Sequence, residues 1–324
     1  MNIKLRSKSG ALQQVLALAS LVVLIVTFSL SSGNFFQFSN IVGILFSTAV
    51  IGVLALGSTF VIITGGIDLS VGTVMTLSAV MTGVFITFWD LPVPLGIAGG
   101  ILTGALCGLL SGTAVAKLKI PPFIATLAMM MIAKGLALVI SGAKPIYFND
   151  DEIFMEVAQG SILGFLIPGF DIPNAVLIFF IAAIIGYIIL SKTIIGRYNF
   201  ALGSNEEATR LSGVNVNYWK IVIYTLTGAF TGLAGVLMAS RLNSANPALG
   251  AGYELEAIAA VVIGGTSLSG GKGTIVGTVI GALIMSVLTN GLRILSVPQE
   301  WQTVVVGIVI ILAVYADILR RRKA

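Results

Sequence analysis

Long apolar runs separated by short polar breaks dominate the chain. The runs cover residues 11–30, 41–64, 73–88, 95–116, 120–140, 174–190, 220–239, 254–263, 274–290 and 301–318. A bilayer core of ~30 Å takes about 20 apolar residues per spanning helix. The pattern therefore predicts about ten transmembrane helices. The eighth run is the shortest and ends in glycines, so it reads as a span or as a half-helix. The first run is too long for the apolar region of a cleaved leader and is followed by further spans, so it reads as a retained helix. Two longer polar segments interrupt the series, at about 141–173 and 192–219.

Composition agrees with this picture. The chain of 324 residues is 57% hydrophobic and 10% charged, whereas a soluble domain carries roughly 25% charged residues. So little charge cannot cover a water-exposed surface, and lipid must cover most of it. The fold class expected is an all-α polytopic membrane protein with one transmembrane domain, residues 1–324, in the bacterial cytoplasmic (inner) membrane. A nucleic-acid partner is not expected, because the charges sit in short loops and at the termini and not on one basic face. There is no histidine and one cysteine, Cys107. His-based catalysis, His-ligated metal sites and an internal disulfide are thereby excluded.

Charge placement orients the chain. With the N-terminus inside and ten crossings, Lys4, Arg6, Lys8, Lys117, Lys119, Lys192, Arg197, Arg210, Lys220, Lys272, Arg320, Arg321, Arg322 and Lys323 fall on the cytoplasmic side. These are 14 of the 18 basic residues, as the positive-inside bias requires. The acidic residues Asp150, Asp151, Glu152 and Glu156 fall outside. Both termini are expected in the cytoplasm.

Gly100, Gly104, Gly108 and Gly112 recur every fourth residue. They form one stripe on a helix, where a neighbouring backbone can approach closely. Gly228 and Gly232, and Gly277 and Gly281, repeat the spacing. An echo also links residues 65–72 (GGIDLSVG) with 264–271 (GGTSLSGG), 199 positions apart. Both copies follow one apolar run and precede another. Transporters place broken helices at corresponding points of two halves, so a true repeat or a shared structural need is expected.

The glycines at 264–274 do not form a nucleotide loop. The pattern G-x-x-x-x-G-K-[ST] fails because Thr266 stands at its first position and Gly273 comes after Lys272. ATP must then be hydrolysed by another chain. The segment 192–219 carries a different signal. Ser204 or Asn205 is suited to an N-cap, Glu206 and Glu207 to a first turn, and Gly213 to a stop. A helix of about two turns is expected under the membrane, shaped to fit a cleft in a soluble partner.

Glu207, Ala208 and Gly213 resemble the E-A-A-x-x-x-G coupling motif of bacterial ABC import permeases, with Thr209 in place of the second alanine. The run 196–216 (GRYNFALGSNEEATRLSGVNV), the glycines at 65–72 and ELEAIAAVVIGGTSLSGGKGT at 254–274 resemble the ribose-type branch of that family. The resemblance covers essentially the whole chain. It implies a fold like the vitamin-B12 importer permease and a second permease chain completing the pore, a homodimer being the simplest case. It also implies an ABC ATPase subunit docked on the coupling helix and an extracytoplasmic sugar-binding protein. No cofactor would be bound by this chain, with ATP and Mg used by the ATPase. The solute implied is ribose or a similar pentose or hexose. A nucleoside, an autoinducer furanose or a branched-chain amino acid would use the same machinery.

The candidate site residues fall into three groups. Asn205, Glu206, Glu207, Ala208, Arg210 and Gly213 would couple to the ATPase. Asp68, Ser70, Ser267 and Ser269 are candidates for the solute path or its gate. An ionisable residue beside a membrane helix is a functional candidate, but Asp68 or Ser70 would serve equally as the cap that opens the third span. Arg241, Arg293 and Lys144, basic residues of the outer side, would steer an acidic binding protein or stand as surface charge. An ion-coupled carrier would need ionisable groups within the membrane. Only Asp68, Lys134, Glu254 and Glu256 are offered, and the coupling segment would have no use.

Overall fold

The computed structural model describes residues 3–148, 152–167, 169 and 171–322; Asp150, Asp151 and Lys323 lie outside them. The elements are α1 (Ile3–Ser31), α2 (Phe38–Ile63), α3 (Val71–Gly83, extended by a π-helical turn, Val84–Phe88), α4 (Val93–Ala116), α5 (Pro122–Ser141), β1 (Ile146–Tyr147), α6 (Glu152–Ala158), α7 (Ile162–Leu166), α8 (Asn174–Lys192), α9 (Ile194–Ser204), α10 (Glu206–Leu211), α11 (Val216–Leu242), β2 (Ser244–Ala245), α12 (Tyr253–Ile263), α13 (Ile275–Ile294) and α14 (Gln299–Arg322). The segment expected as a plain polar loop at 141–173 thus holds one strand and two short helices.

Nine helices among the described residues are long and apolar enough to cross a bilayer. They fall into two layers. α2, α3, α11 and α13 are mostly buried, whereas α1, α4, α5, α8 and α14 turn large apolar side chains outward. Lipid tails are as apolar as leucine, so what draws these helices together is close packing and not water exclusion. The glycine stripe supplies it. Gly104 and Gly108 on α4 lie against the backbone of Gly228, Gly232 and Tyr224 on α11, and Gly281 on α13 lies against Ala260 on α12. The expectation of tight packing at these glycines is met.

The eighth run is not a full helix. α12 has eleven residues, about 16 Å at 1.5 Å per residue, which is half a crossing. The other half is non-helical. After α11, Asn243 turns the chain through a left-handed conformation, φ 46°. β2 pairs antiparallel with β1, Ile146 opposite Ala245. Residues 246–252 then re-enter the bundle along α3, where Thr76 Oγ1 donates to the Leu249 carbonyl at 2.8 Å. Irregular backbone at membrane depth survives only when protein or a water-filled cavity satisfies it, and that bond does so here. Among the described residues the count of spanning helices is therefore nine, with α12 as a half-helix where the sequence left a span or a half-helix open.

Both ends of the chain lie at one end of the bundle. Gln14 near the start of α1 donates to Thr274, the cap of α13 (3.1 Å). α14 runs back from the far end of α13 through the short link 295–298.

Candidate functional site: the coupling segment and the glycine-rich breaks

α10 is built as its sequence asks. Asn205, in extended conformation, accepts from the Ala208 N–H at 2.9 Å. This settles the cap on Asn205 and not Ser204. Glu206 and Glu207 occupy the first turn, where the helix dipole favours anions. Arg210 reaches both, at 3.2 and 3.3 Å, and Lys220 at the start of α11 reaches Glu206 at 2.7 Å. Gly213 ends the segment at φ 83°. Its N–H bonds to the Arg210 carbonyl and that of Val214 to Thr209, the pair of bonds of a Schellman stop. Thr209, the departure from alanine, is buried and turns its hydroxyl back to the Asn205 carbonyl at 2.7 Å. It therefore adds no unsatisfied group. Glu207, Arg210 and Leu211 are exposed. Beside them lies a groove of about 340 Å³ lined by Lys119, Arg210, Val214, Asn215, Val216 and Asn217.

The sequence missed α9, a full helix ahead of α10. Gly196, Asn199 and Leu202 form its buried face; their i, i+3, i+6 spacing was the available signal. α9 ends where the two glycine-rich breaks meet. A Cβ on Gly203 would strike the Ile63 carbonyl and the Gly271 nitrogen, both backbone atoms. The Gly271 N–H donates to Ile63 at 2.8 Å. Gly271 also packs on Ser204, and Gly65 on Ser269. The breaks, far apart in sequence, therefore touch each other and the root of the coupling helix.

Asp68 is buried within the bundle and not at its end. Gly66, two residues before it, lies against the Tyr224 hydroxyl, and the Met75 backbone against Gly235, both partners being on α11. Asp68 Oδ1 accepts from the Ser70 N–H (2.8 Å) and Ser70 Oγ (2.6 Å). Ser70 holds the N-cap position of α3 but makes no side-chain cap bond, so neither residue caps that helix in the expected way. In this conformation Asp68, Ser70 and Ser267 are buried and Ser269 is exposed.

At the opposite end of the bundle, the structure brings Arg241 and Arg293 within electrostatic reach of each other. Arg241 is half-buried, its guanidinium carbon 4.7 Å from the centre of the Phe46 ring. Lys144 is exposed, in the turn after α5.

A bundle of spanning helices with a broken crossing and a capped helix displayed outside it defines a multi-pass membrane transport protein. Residues 40–314 match the family described as the permease component of the branched-chain amino acid transport system, and the chain belongs to that family. It is 43% identical to the ribose import permease of Escherichia coli (strain K12) over 304 residues, 93% of this chain and 92% of that protein. It is 43% identical to the ribose import permease of Bacillus subtilis (strain 168), covering 97% and 95%. It is 38% identical to the fructose import permease of Rhizobium meliloti, covering 99% and 88%. No solved structure matches the chain at a significant level. The chain is accordingly a multi-pass inner-membrane permease of an ABC importer.

Proposed function

We propose that this chain forms the membrane pathway of an ABC importer for a monosaccharide, ribose or a similar pentose or hexose, and hydrolyses no ATP itself. One observation carries the mechanism: α10 stands exposed on α9, and the end of α9 is wedged against both glycine-rich breaks. A soluble ATPase that grips α10 and moves it displaces Gly203 and Ser204. That motion bears directly on the ends of α2 and α12. The groove beside α10, with Lys119 and Arg210 on its rim, suits acidic side chains of such a partner. The end bearing α10 and both termini faces the cytoplasm, supported by the basic residues gathered there. An extracytoplasmic binding protein delivers the solute, a second copy of the chain completes the pore within the lipid, and ATP with Mg is used by the ATPase. The solute assignment leans on the ribose and fructose permeases as relatives.

The test is reconstitution in liposomes with the partner ATPase and the binding protein, followed by uptake of labelled ribose, fructose and leucine. Uptake of ribose that needs both ATP and the binding protein is expected. Uptake without the ATPase, or of leucine alone, would overturn the reading.

A further inference from the structure

The start of α12 gathers polar groups that the coupling mechanism does not use. The non-helical stretch 246–252 delivers the chain into the bundle. Gly250 lies against Gly72 and Thr76 of α3, and Gly252, at φ 96°, opens α12. α3 and α12 therefore begin side by side. The Glu254 carboxylate folds back onto the Gly252 N–H (3.1 and 3.2 Å). Two residues on, Glu256 lies within electrostatic reach of Arg293 and Glu254. Arg241, at the end of α11, lies within reach of Tyr253 and Arg293. Asn290, one turn before Arg293, donates to Asn40 at 3.0 Å and ties α13 to α2. Four elements thus present polar groups to one region, in the half of the bundle away from α10.

Three features separate this cluster from ordinary surface charge. Arg241, Tyr253, Glu254 and Glu256 are half-buried, with only Arg293 exposed. No direct ion pair joins these four charges among the described residues. Partly shielded opposite charges that do not close on each other keep hydrogen-bonding capacity for something else. The charges also balance, two guanidinium groups against two carboxylates, so the place favours a neutral solute over an anion or a cation. Guanidinium forks donate to neighbouring hydroxyls, carboxylates accept from them, and the Phe46 and Tyr253 rings offer apolar faces to C–H groups. A few converging polar groups beside aromatic faces are what a small-molecule site requires.

We propose that Arg241, Tyr253, Glu254, Glu256 and Arg293 form a polar station in the solute path, where a neutral polyhydroxylated solute is held as it enters the bundle beside α12. The proposal rests on the importer reading and adds to it the residues that touch the solute.

In liposomes with the ATPase and the binding protein, solute moved per ATP is compared for wild type, Glu256→Gln and Arg241→Lys. Each variant is expected to lower it about tenfold, the scale of a lost charge-assisted hydrogen bond. Affinity for the binding protein should stay within about twofold of wild type, since the lost bonds belong to the solute and not to the docked protein. Should Arg241→Lys fail to insert, Glu256→Gln, which keeps size and shape, decides alone. Unchanged transport per ATP overturns the proposal. So does a loss of binding-protein affinity large enough to account for the lost uptake, which would make the cluster a docking surface. A second readout does not depend on pumping: a photoreactive ribose derivative should label residues 241–256 or the end of α13 around Arg293 in membranes holding the permease, and labelling confined to other segments overturns the station. If wild type pumps no sugar although the label lands there, the importer reading fails and the station stands.

Discussion

The two glycine-rich breaks share a sequence pattern and part ways in structure. Aligned by sequence, Gly65 matches Gly264, 199 positions apart. Aligned by geometry, Gly65 matches Gly265. Both have positive φ, 81° and 98°. In each, that glycine bonds back three residues, to Ile62 or Val262, and the next residue bonds back five, to Val61 or Val261. These are two Schellman stops, and the offset between them is 200. What the segments share is a device for ending an apolar helix, and the likeness of the L-S-x-G tails does not survive the one-residue shift. After the first stop, the chain is locked into the bundle by Asp68 on Ser70 and by the Leu69 N–H on Thr126 Oγ1 at 3.2 Å, and α3 starts at once. After the second, Gly270 and Gly271 take positive φ and lie across Ile63, Gly203 and Ser204, and α13 waits until Ile275. The first break is a fixed point and the second is a bridge to the coupling segment.

The contact that joins both breaks to α9 gives the largest expected effect. Gly203→Ala places a methyl against two backbone atoms that cannot rotate away. Overpacking costs about 1–3 kcal/mol, here at the joint that transmits motion. Uptake should fall about a hundredfold, while the ATPase still co-purifies with the permease, because α10 keeps its own cap and ion pairs. Uptake above about half of wild type would show that the bridge is not the route of coupling.

The next effect probes the fixed point. Asp68→Ala leaves the Ser70 N–H and hydroxyl without their acceptor, whereas Asp68→Asn keeps an oxygen in place. The alanine variant should be about 2 kcal/mol less stable than the asparagine variant, read as a lower melting temperature in detergent. Equal melting temperatures for the two variants would remove the Asp68–Ser70 bonds from the account.

Much of this was legible in the sequence, for identifiable reasons. Spans, stripe and cap are local or periodic. Twenty apolar residues, a glycine every fourth position and Asn205 ahead of two glutamates each state their own geometry. The broken crossing at α12 was half-legible, because the short run 254–263 was plain while the non-helical stretch before it, 246–252, carries no periodicity. The meeting of Gly203 with Ile63 and Gly271 was not legible. A close backbone approach is a property of two segments, and a lone glycine in an amphipathic helix names no partner. The bonds from Ser70 to Asp68 were not legible, because apolar runs mark where helices stop but not how the connection between them folds. Arg241 was read as an outer-surface charge because sequence shows neither the Phe46 ring beneath it nor the re-entry of the chain just after it.

The smallest effect tests whether position in the motif or place in the structure decides. Ser70 and Ser269 are the same letter in the shared pattern, yet Ser70 is 3% exposed and donates to Asp68, whereas Ser269 is exposed. Ser70→Ala removes a charge-assisted bond from a buried carboxylate that has little else to lean on, and should cost about 1.5–3 kcal/mol. Ser269→Ala removes a solvated hydroxyl and should stay within about 0.5 kcal/mol. Its backbone carbonyl, the atom that faces Gly65, is untouched by the change, so uptake should also match wild type. Equal destabilisation by the two substitutions, measured in the same detergent, would mean that the second break closes up as the first does and that the one-residue shift between them carries no physical weight. A near-silent Ser269→Ala beside a costly Ser70→Ala would mean that the repeated letters record how two helices end, and that the stretches beyond those two endings were shaped separately, one to hold and one to move.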